Sequence, residues 1–225
     1  MAKKRRSKAP RQIPLRLSQR EGWGVALEAG GVVQSVTVPA DGVAGLDAAP
    51  DGEPRPGPGG GYWGLMLPSG CPRRALLLGL GGGTVAVLLA RRCPACAITG
   101  VERDPAVIAL ARDAFGLDAI AGLVIVEADA FAWVAEQVLA MPGAYDLICL
   151  DLFEAGRLAL GALATPYLRQ VAALLAPGGT LSVNLMVTAR TPEQVARVSR
   201  VFTITRRLPL RGNLVLHATH PLGGA

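Results

Sequence analysis

Residues 74–84 read RALLLGLGGGT (Arg74–Thr84), and this stretch decides the fold. A short apolar run enters a cluster of glycines at 79, 81, 82 and 83, and Thr84 then opens the helix-like VAVLLAR to Arg91. A buried parallel strand, a tight turn and a helix start produce this pattern, because glycine lets the backbone approach a ligand that the helix N–H groups face. The dinucleotide fingerprint G-x-G-x-x-G needs its third glycine at position 84, which is threonine; the spacing is instead G-x-G-x-G at Gly79, Gly81 and Gly83.

Downstream, apolar runs alternate with helical segments. Strands are expected at Ala97–Val101, Leu123–Glu127, Tyr145–Leu150 and Thr180–Leu185, with two more at Val201–Arg206 and Asn213–Thr219. Asp104-Pro105 and Thr165-Pro166 each offer a cap followed by proline at the first helical position, and Thr191-Pro192-Glu193-Gln194 reads as a capping box. A helix over Ala130–Ala140 is also expected, and Pro177-Gly178-Gly179 should stop the helix that starts at Thr165. Strands alternating with helices at this spacing make an α/β, doubly wound, mostly parallel sheet.

Upstream, residues 23–28 (WGVALE) and 32–38 (VVQSVTV) form a small N-terminal β-hairpin around Ala29-Gly30-Gly31. Ala49–Gly61 (APDGEPRPGPGGG) is a linker or a flap. The expected domains are a basic tail (1–19), the hairpin segment (20–48), the linker (49–61) and the nucleoside-binding domain (62–225).

The net charge of +6 invites a nucleic-acid reading until it is located. Residues 1–16 hold seven of the 23 basic residues and no acid, leaving 16 basic against 17 acidic residues elsewhere. The tail could attach to RNA, DNA or an anionic surface, but a solvated terminus is the preferred reading. No transmembrane stretch and no secretory signal are recognisable, which makes the cytoplasm the default location. Cys93-Pro-Ala-Cys96 has the spacing of a redox pair or of half a zinc site, but no second C-x-x-C or His pair at suitable spacing completes a zinc site, and a turn between a helix and a strand is the preferred reading. His217 and His220 are expected at the surface.

Chemistry gathers at the carboxyl ends of four successive strands. The first presents the glycines, the second ends at Glu102, the third at Asp129-Ala130 and the fourth at Asp151. An acid about twenty residues past the loop can accept both ribose hydroxyls, and Asp129 could take an adenine amine. Any one acid could equally be a helix cap or a solvated loop residue; a glycine turn and three acids at four consecutive strand ends point to a nucleoside.

At these residues the chain resembles the spermidine synthase-like group of the class I S-adenosylmethionine-dependent transferases. The matching pieces are LLLGLGGGT, ITGVERDPAVIALARDAFGL, VEADAFAWV, YDLICLDLFE and LAPGGTLSVNL, with AGGVVQS (Ala29–Ser35) matching the group's N-terminal β segment. The resemblance implies a methyltransferase-like fold and S-adenosylmethionine, or its decarboxylated form, as cofactor. It makes Glu102 the ribose ligand, with Arg103 beside it, and gives the adenine to Asp129 and Ala130. Gln34 and Tyr62 would border the cofactor tail, Asp151 would be the proton acceptor, and Glu154 a second acid anchoring an amine acceptor.

The departures are also informative. Aminopropyltransferases of the group carry an acid inside the glycine loop, where this chain has Gly82. Trp63-Gly64 replaces the acceptor-binding Gln-Glu, and Asp151-Leu152-Phe153-Glu154 is more apolar than a diamine pocket requires. A doubly cationic acceptor needs carboxylates, because an unpaired buried ammonium is costly. Three readings follow: methyl transfer from S-adenosylmethionine to a small-molecule acceptor such as an amine; aminopropyl transfer from the decarboxylated donor; and a non-catalytic nucleoside-binding module. No metal is called for, and the hairpin's open edge could pair with a second copy in a homodimer.

Overall fold

The computed structural model describes residues 14–21, 24–38, 61–154 and 156–220. Most of the basic tail, nearly all of the 49–61 linker and Trp23 lie outside the described residues.

Three antiparallel strands, β1 (Leu15–Arg20), β2 (Gly24–Ala29) and β3 (Val32–Val36), form an N-terminal sheet in the order β1-β2-β3. Gly30 and Gly31, with φ of +59° and +80°, make the β2–β3 turn. The expected hairpin is there, but β1 adds a third strand from residues assigned above to the tail. Its pattern, LRLSQR, pairs along β2 from Leu15 to Arg20, and Ser18 and Arg20 both bond the Glu28 carboxylate. Cross-strand pairing overrode the basic composition.

After a 3-10 helix at Tyr62–Met66 comes the alternating core: β4 (Arg74–Leu78), α1 (Thr84–Arg92), β5 (Ala97–Glu102), α2 (Pro105–Phe115), β6 (Leu123–Glu127), α3 (Ala130–Ala140) and β7 (Tyr145–Leu150). Then follow a hairpin of two-residue strands, β8 (Phe153–Glu154) and β9 (Arg157–Leu158), α4 (Thr165–Leu174), β10 (Leu175–Met186), α5 (Thr191–Ser199), β11 (Thr203–Leu210) and β12 (Asn213–Thr219). The main sheet has the order β11-β12-β10-β7-β4-β5-β6, with β12 antiparallel to both neighbours and the other pairs parallel. The chain winds outward from β4 to β6 and then returns to β7 on the other side of β4. The switch point is therefore at the carboxyl ends of β4 and β7, where open α/β sheets bind ligands.

Alternation along the strands separates two apolar layers. Leu76, Leu78, Ile148 and Leu150 face α3, α4 and α5, whereas Ala75, Leu77, Leu147 and Cys149 face α1, α2 and the Tyr62–Met66 helix. Both faces are covered, which explains the unbroken apolar runs in β4 and β7.

Several local expectations need correction. Thr165 and Thr191 are not caps: α4 is capped at Ala164 and α5 at Arg190, neither with a side-chain bond. Thr191 Oγ1 accepts from the Thr188 amide in the preceding turn instead. The helix at 165 stops at Leu174, before Pro177-Gly178-Gly179, which lies within the irregular start of β10. The strand expected at 201–206 runs from Thr203 to Leu210.

Cys93 makes its covalent bond with Cys71, 22 residues earlier, and not with its C-x-x-C neighbour. Burial pushes the Cys96 thiol up to about 11, so it stays protonated. The turn Cys93–Cys96 does form, closed by a Cys96 N–H bond to the Cys93 carbonyl. Among the described residues, no helix is long and apolar enough to cross a membrane.

Candidate active site

The glycine loop leaves β4 through a backbone that only glycine adopts freely. Gly79, Gly81 and Gly83 have φ of +88°, +54° and +80°. A Cβ on Gly79 would collide with the Asp151 carbonyl, so the ends of β4 and β7 touch there. The Asp151 amide donates to the Leu78 carbonyl at 2.9 Å and continues the ladder into the site. Gly83 has a different role from the other two: it caps α1 and packs on Leu117.

Loop amides meet acceptors from two directions. Gly81 N–H donates to Glu102 Oε2 at 3.0 Å, while Glu102 Oε1 accepts from the amides of Arg103 and Asp104 at 2.9 and 3.1 Å. Gly82 N–H donates to Ser35 Oγ at 2.8 Å. Thr84 Oγ1 donates to the Val36 carbonyl at 2.7 Å and accepts from the Val36 amide at 2.9 Å. β3 is thus fastened across the loop by buried bonds, and a Cβ on Gly82 would stand 2.7 Å from Ser35 Cβ. Ser35 therefore fills the space that a side chain at position 82 would need.

Gly79, Glu102, Asp129, Ala130, Phe131 and Leu152 line a cavity at the carboxyl edge of the sheet. Asp129 caps α3, accepting from the Phe131 and Ala132 amides at 2.9 and 3.1 Å. Cap and ligand contact are compatible, because a carboxylate has four lone-pair directions. A second crevice, beneath the N-terminal sheet, takes in Leu27, Gln34, Gly81, Arg103 and Glu154. Arg103 and Glu154 form an ion pair on the shared rim, with side chains about half exposed (52% and 47%). Glu154 is thus matched by a cation, which an acid reserved for an amine would not be.

Asp151 follows directly on β7, next to the cavity residue Leu152 but not itself in the lining of either hollow, and it is held from the Tyr62–Met66 helix and from β10. Tyr62 Oη donates to its Oδ2 at 2.8 Å and Asn184 Nδ2 to its Oδ1 at 2.9 Å. Asn184 is in turn held by Asn213, whose Nδ2 donates to Asn184 Oδ1 at 2.9 Å. Burial raises the Asp151 carboxyl above the ordinary aspartate range, although the bonds from Asn184 and Tyr62 pull it back. Burial, and then the neighbouring Asp151, hold the Tyr62 phenol well above its usual range, so it remains a donor.

The structure thus gathers Gly79, Gly81, Glu102, Arg103, Asp129, Ala130 and Glu154, with Gln34 at the border, around two adjoining hollows, and Tyr62 joins Asp151. Sequence reasoning missed Ser35, Asn184 and Asn213. It also misplaced His217, which is buried (3% exposed) with Nε2 2.7 Å from the Leu65 carbonyl. The alternation of Leu214, Leu216 and Ala218 with Val215 and His217 was the available signal: a strand apolar on both sides is buried on both faces. Among the described residues, no cluster of three or more His, Cys, Asp or Glu side chains could hold a metal.

No family model matches the chain. In sequence it is similar to a probable polyamine aminopropyl transferase of Bifidobacterium longum (strain NCC 2705), with 30% identity over 160 residues, 67% of this chain and 34% of that protein. The chain spans about a third of the length of this curated relative. Its fold is that of a probable spermidine synthase from Corynebacterium glutamicum (TM-score 0.67, 18% identity, 91% of this chain and 76% of that one). The same fold occurs in a spermidine synthase in complex with the transition-state analogue AdoDATO (TM-score 0.63, 15% identity, 95% and 72%). It also occurs in human methyltransferase-like protein 13 in complex with SAH (TM-score 0.59, 23% identity, 68% and 75%).

Proposed function

We propose that this chain is a spermidine synthase-like transferase that binds S-adenosylmethionine and transfers its methyl group to a small-molecule acceptor. The observation that carries the reading is the convergence of Gly79, Glu102, Asp129 and Asp151 on one carboxyl edge, together with a glycine loop closed to an acidic side chain by Ser35. The likeness to proteins that carry SAH or AdoDATO supports the cofactor class.

The residues fit the donor. Glu102 keeps lone pairs for ribose hydroxyls while its oxygens hold the loop and the start of α2. Asp129 faces the cavity beside Ala130 and can accept an adenine amine. The sulfonium supplies an electrophilic carbon and leaves as a neutral thioether. The protein's part is to hold the acceptor in line and to take a proton from it. Asp151 suits the second task, since burial makes it a stronger base than an exposed aspartate and its two donors fix its direction. The apolar Leu152 and Phe153 at the rim favour an acceptor with an apolar body.

Aminopropyl transfer from the decarboxylated donor is the second reading, favoured by the relative from Bifidobacterium longum and by the retention of Asp151 and Glu154. The filled space at Gly82 and the pairing of Glu154 with Arg103 count against it, because both remove a free carboxylate from the path of an ammonium group. Calorimetry with S-adenosylmethionine, its decarboxylated form and methylthioadenosine separates the readings. Methyl transfer predicts tighter binding of the intact donor. Preference for the decarboxylated donor with turnover of putrescine would establish the second reading instead, and no binding of any of the three would defeat both.

A further inference from the structure

Strand β12 lies one strand in from the sheet edge, yet it bonds both Asn184, one donor to Asp151, and the helix that carries Tyr62, the other. Its residues Asn213, Val215 and His217 share one face, by the two-residue period of a strand. Val215 packs in the same apolar cluster as Trp63, Leu65 and Met66, so this face lies under the Tyr62–Met66 helix.

At the start of the strand, Asn213 bonds the end of the Asn184 amide that faces away from Asp151. The two ends of a side-chain amide are nearly equal in size and opposite in polarity, so the partner on one side dictates what is offered on the other. Because Asn213 Nδ2 donates to Asn184 Oδ1, Asn184 must present Nδ2 to Asp151, as it does at 2.9 Å. The register permits this: Asn184 is opposite Val215, and Asn213 is the diagonal neighbour on the same face.

Four residues on, His217 Nε2 bonds the Leu65 carbonyl across 152 positions of sequence. A carbonyl only accepts, so Nε2 carries the proton and donates. Burial, reinforced by Arg206 and Arg92, lowers the His217 pKa and keeps the ring neutral, against the opposing effect of the Leu65 bond. Leu65 belongs to the same short helix as Tyr62, the second donor to Asp151. Among the described residues, the charge of Asp151 acts on Tyr62 of that helix and on Cys149 of β7, and burial keeps both neutral.

We propose that Asn213 and His217 are positioning residues, which from one strand hold the two donors to Asp151, Asn213 by orienting the Asn184 amide and His217 by anchoring the helix that carries Tyr62. Their importance for transfer rests on the reading of Asp151 as the base, but their effect on Asp151 can be measured without any acceptor. The full chain labelled with 13C at aspartate carboxyls is titrated, and the Asp151 signal is identified by its loss in Asp151→Asn. In Asn213→Asp the new carboxylate accepts, turning the Asn184 oxygen toward Asp151, and the Asp151 midpoint should rise by about one pH unit. Asn213→Leu, which adds no charge, should raise it by less. His217→Phe should also raise the midpoint, whereas His217→Gln, whose Nε2 can still donate to the Leu65 carbonyl, should restore it. Methylthioadenosine binding checks that each variant retains its nucleoside site. Unchanged midpoints in both Asn213 variants would overturn the role of Asn213, and equal midpoints in His217→Phe and His217→Gln would overturn that of His217. Transfer retained by Asp151→Asn would instead remove Asp151 as base and leave the positional inference standing.

Discussion

The two halves of the carboxyl edge are built differently. On the side of β5 and β6, the acids are held by nearby backbone: Asp104 and Asp129 each accept from amides two residues away, and Glu102 from the amides of residues 103 and 104. On the side of β7, β10 and β12, Asp151 is held by side chains from distant segments, Tyr62 at a separation of 89 residues and Asn184 at 33. The first half is a set of turns and caps that a short peptide pattern specifies. The second is a side-chain network that exists only once the sheet has assembled. A nucleoside pocket can thus persist while the chemistry beside it diverges, because the halves meet at the contact of Gly79 with Asp151 and at the rim pair of Arg103 with Glu154, and not through the two donors to Asp151.

Perturbing one half at a time tests this division. Asp151→Asn should lower transfer by roughly 100-fold or more while leaving methylthioadenosine affinity within about twofold. A parallel loss of nucleoside binding would show that the halves are one unit. Removing the Cys71–Cys93 bond by Cys71→Ser should lower unfolding stability by about 3 kcal/mol in a denaturant titration, from the loop entropy it restrains. Because the bond brackets β4, the loop and α1, methylthioadenosine affinity is expected to fall with it while the Asp151 titration stays in place. Asp129→Ala removes the α3 cap and should cost about 1 kcal/mol in the same titration, with weaker nucleoside binding and no change at Asp151.

The smallest expected effect is in the pH dependence. His217 has a lowered pKa in the fold, so between its folded value and its ordinary value of about 6.5 the unfolded chain binds the extra proton. Stability should therefore fall as pH drops below that ordinary value, and His217→Gln should remove this component from a plot of melting temperature against pH. A slope unchanged in the variant would assign the acid sensitivity to other groups. The raised Asp151 carboxyl works in the opposite sense, contributing stability that declines as pH rises through its folded midpoint.

This division also accounts for what was legible beforehand. Gly79, Gly81, Glu102, Asp129 and Asp151 could be placed because strand ends and helix starts are local signals, and the bounds of α3 and β7 match expectation residue for residue. Ser35, Asn184, Asn213 and His217 are single polar residues within strands, where an isolated segment does not reveal its neighbour. Even local rules failed where a competing bond was available, as at Thr191, whose hydroxyl serves the turn before α5 and not the helix itself.

The amino-acid sequence alone determined a doubly wound sheet with a glycine turn and acids at successive strand ends, because period, turn chemistry and capping act over a few residues. Only the tertiary structure decided that Ser35 closes the loop, that Cys71 pairs with Cys93, that Arg103 matches Glu154 and that β12 braces Asp151. Those contacts join segments far apart in the chain. Their partners are selected by strand order and register, which emerge from burying the two apolar layers together.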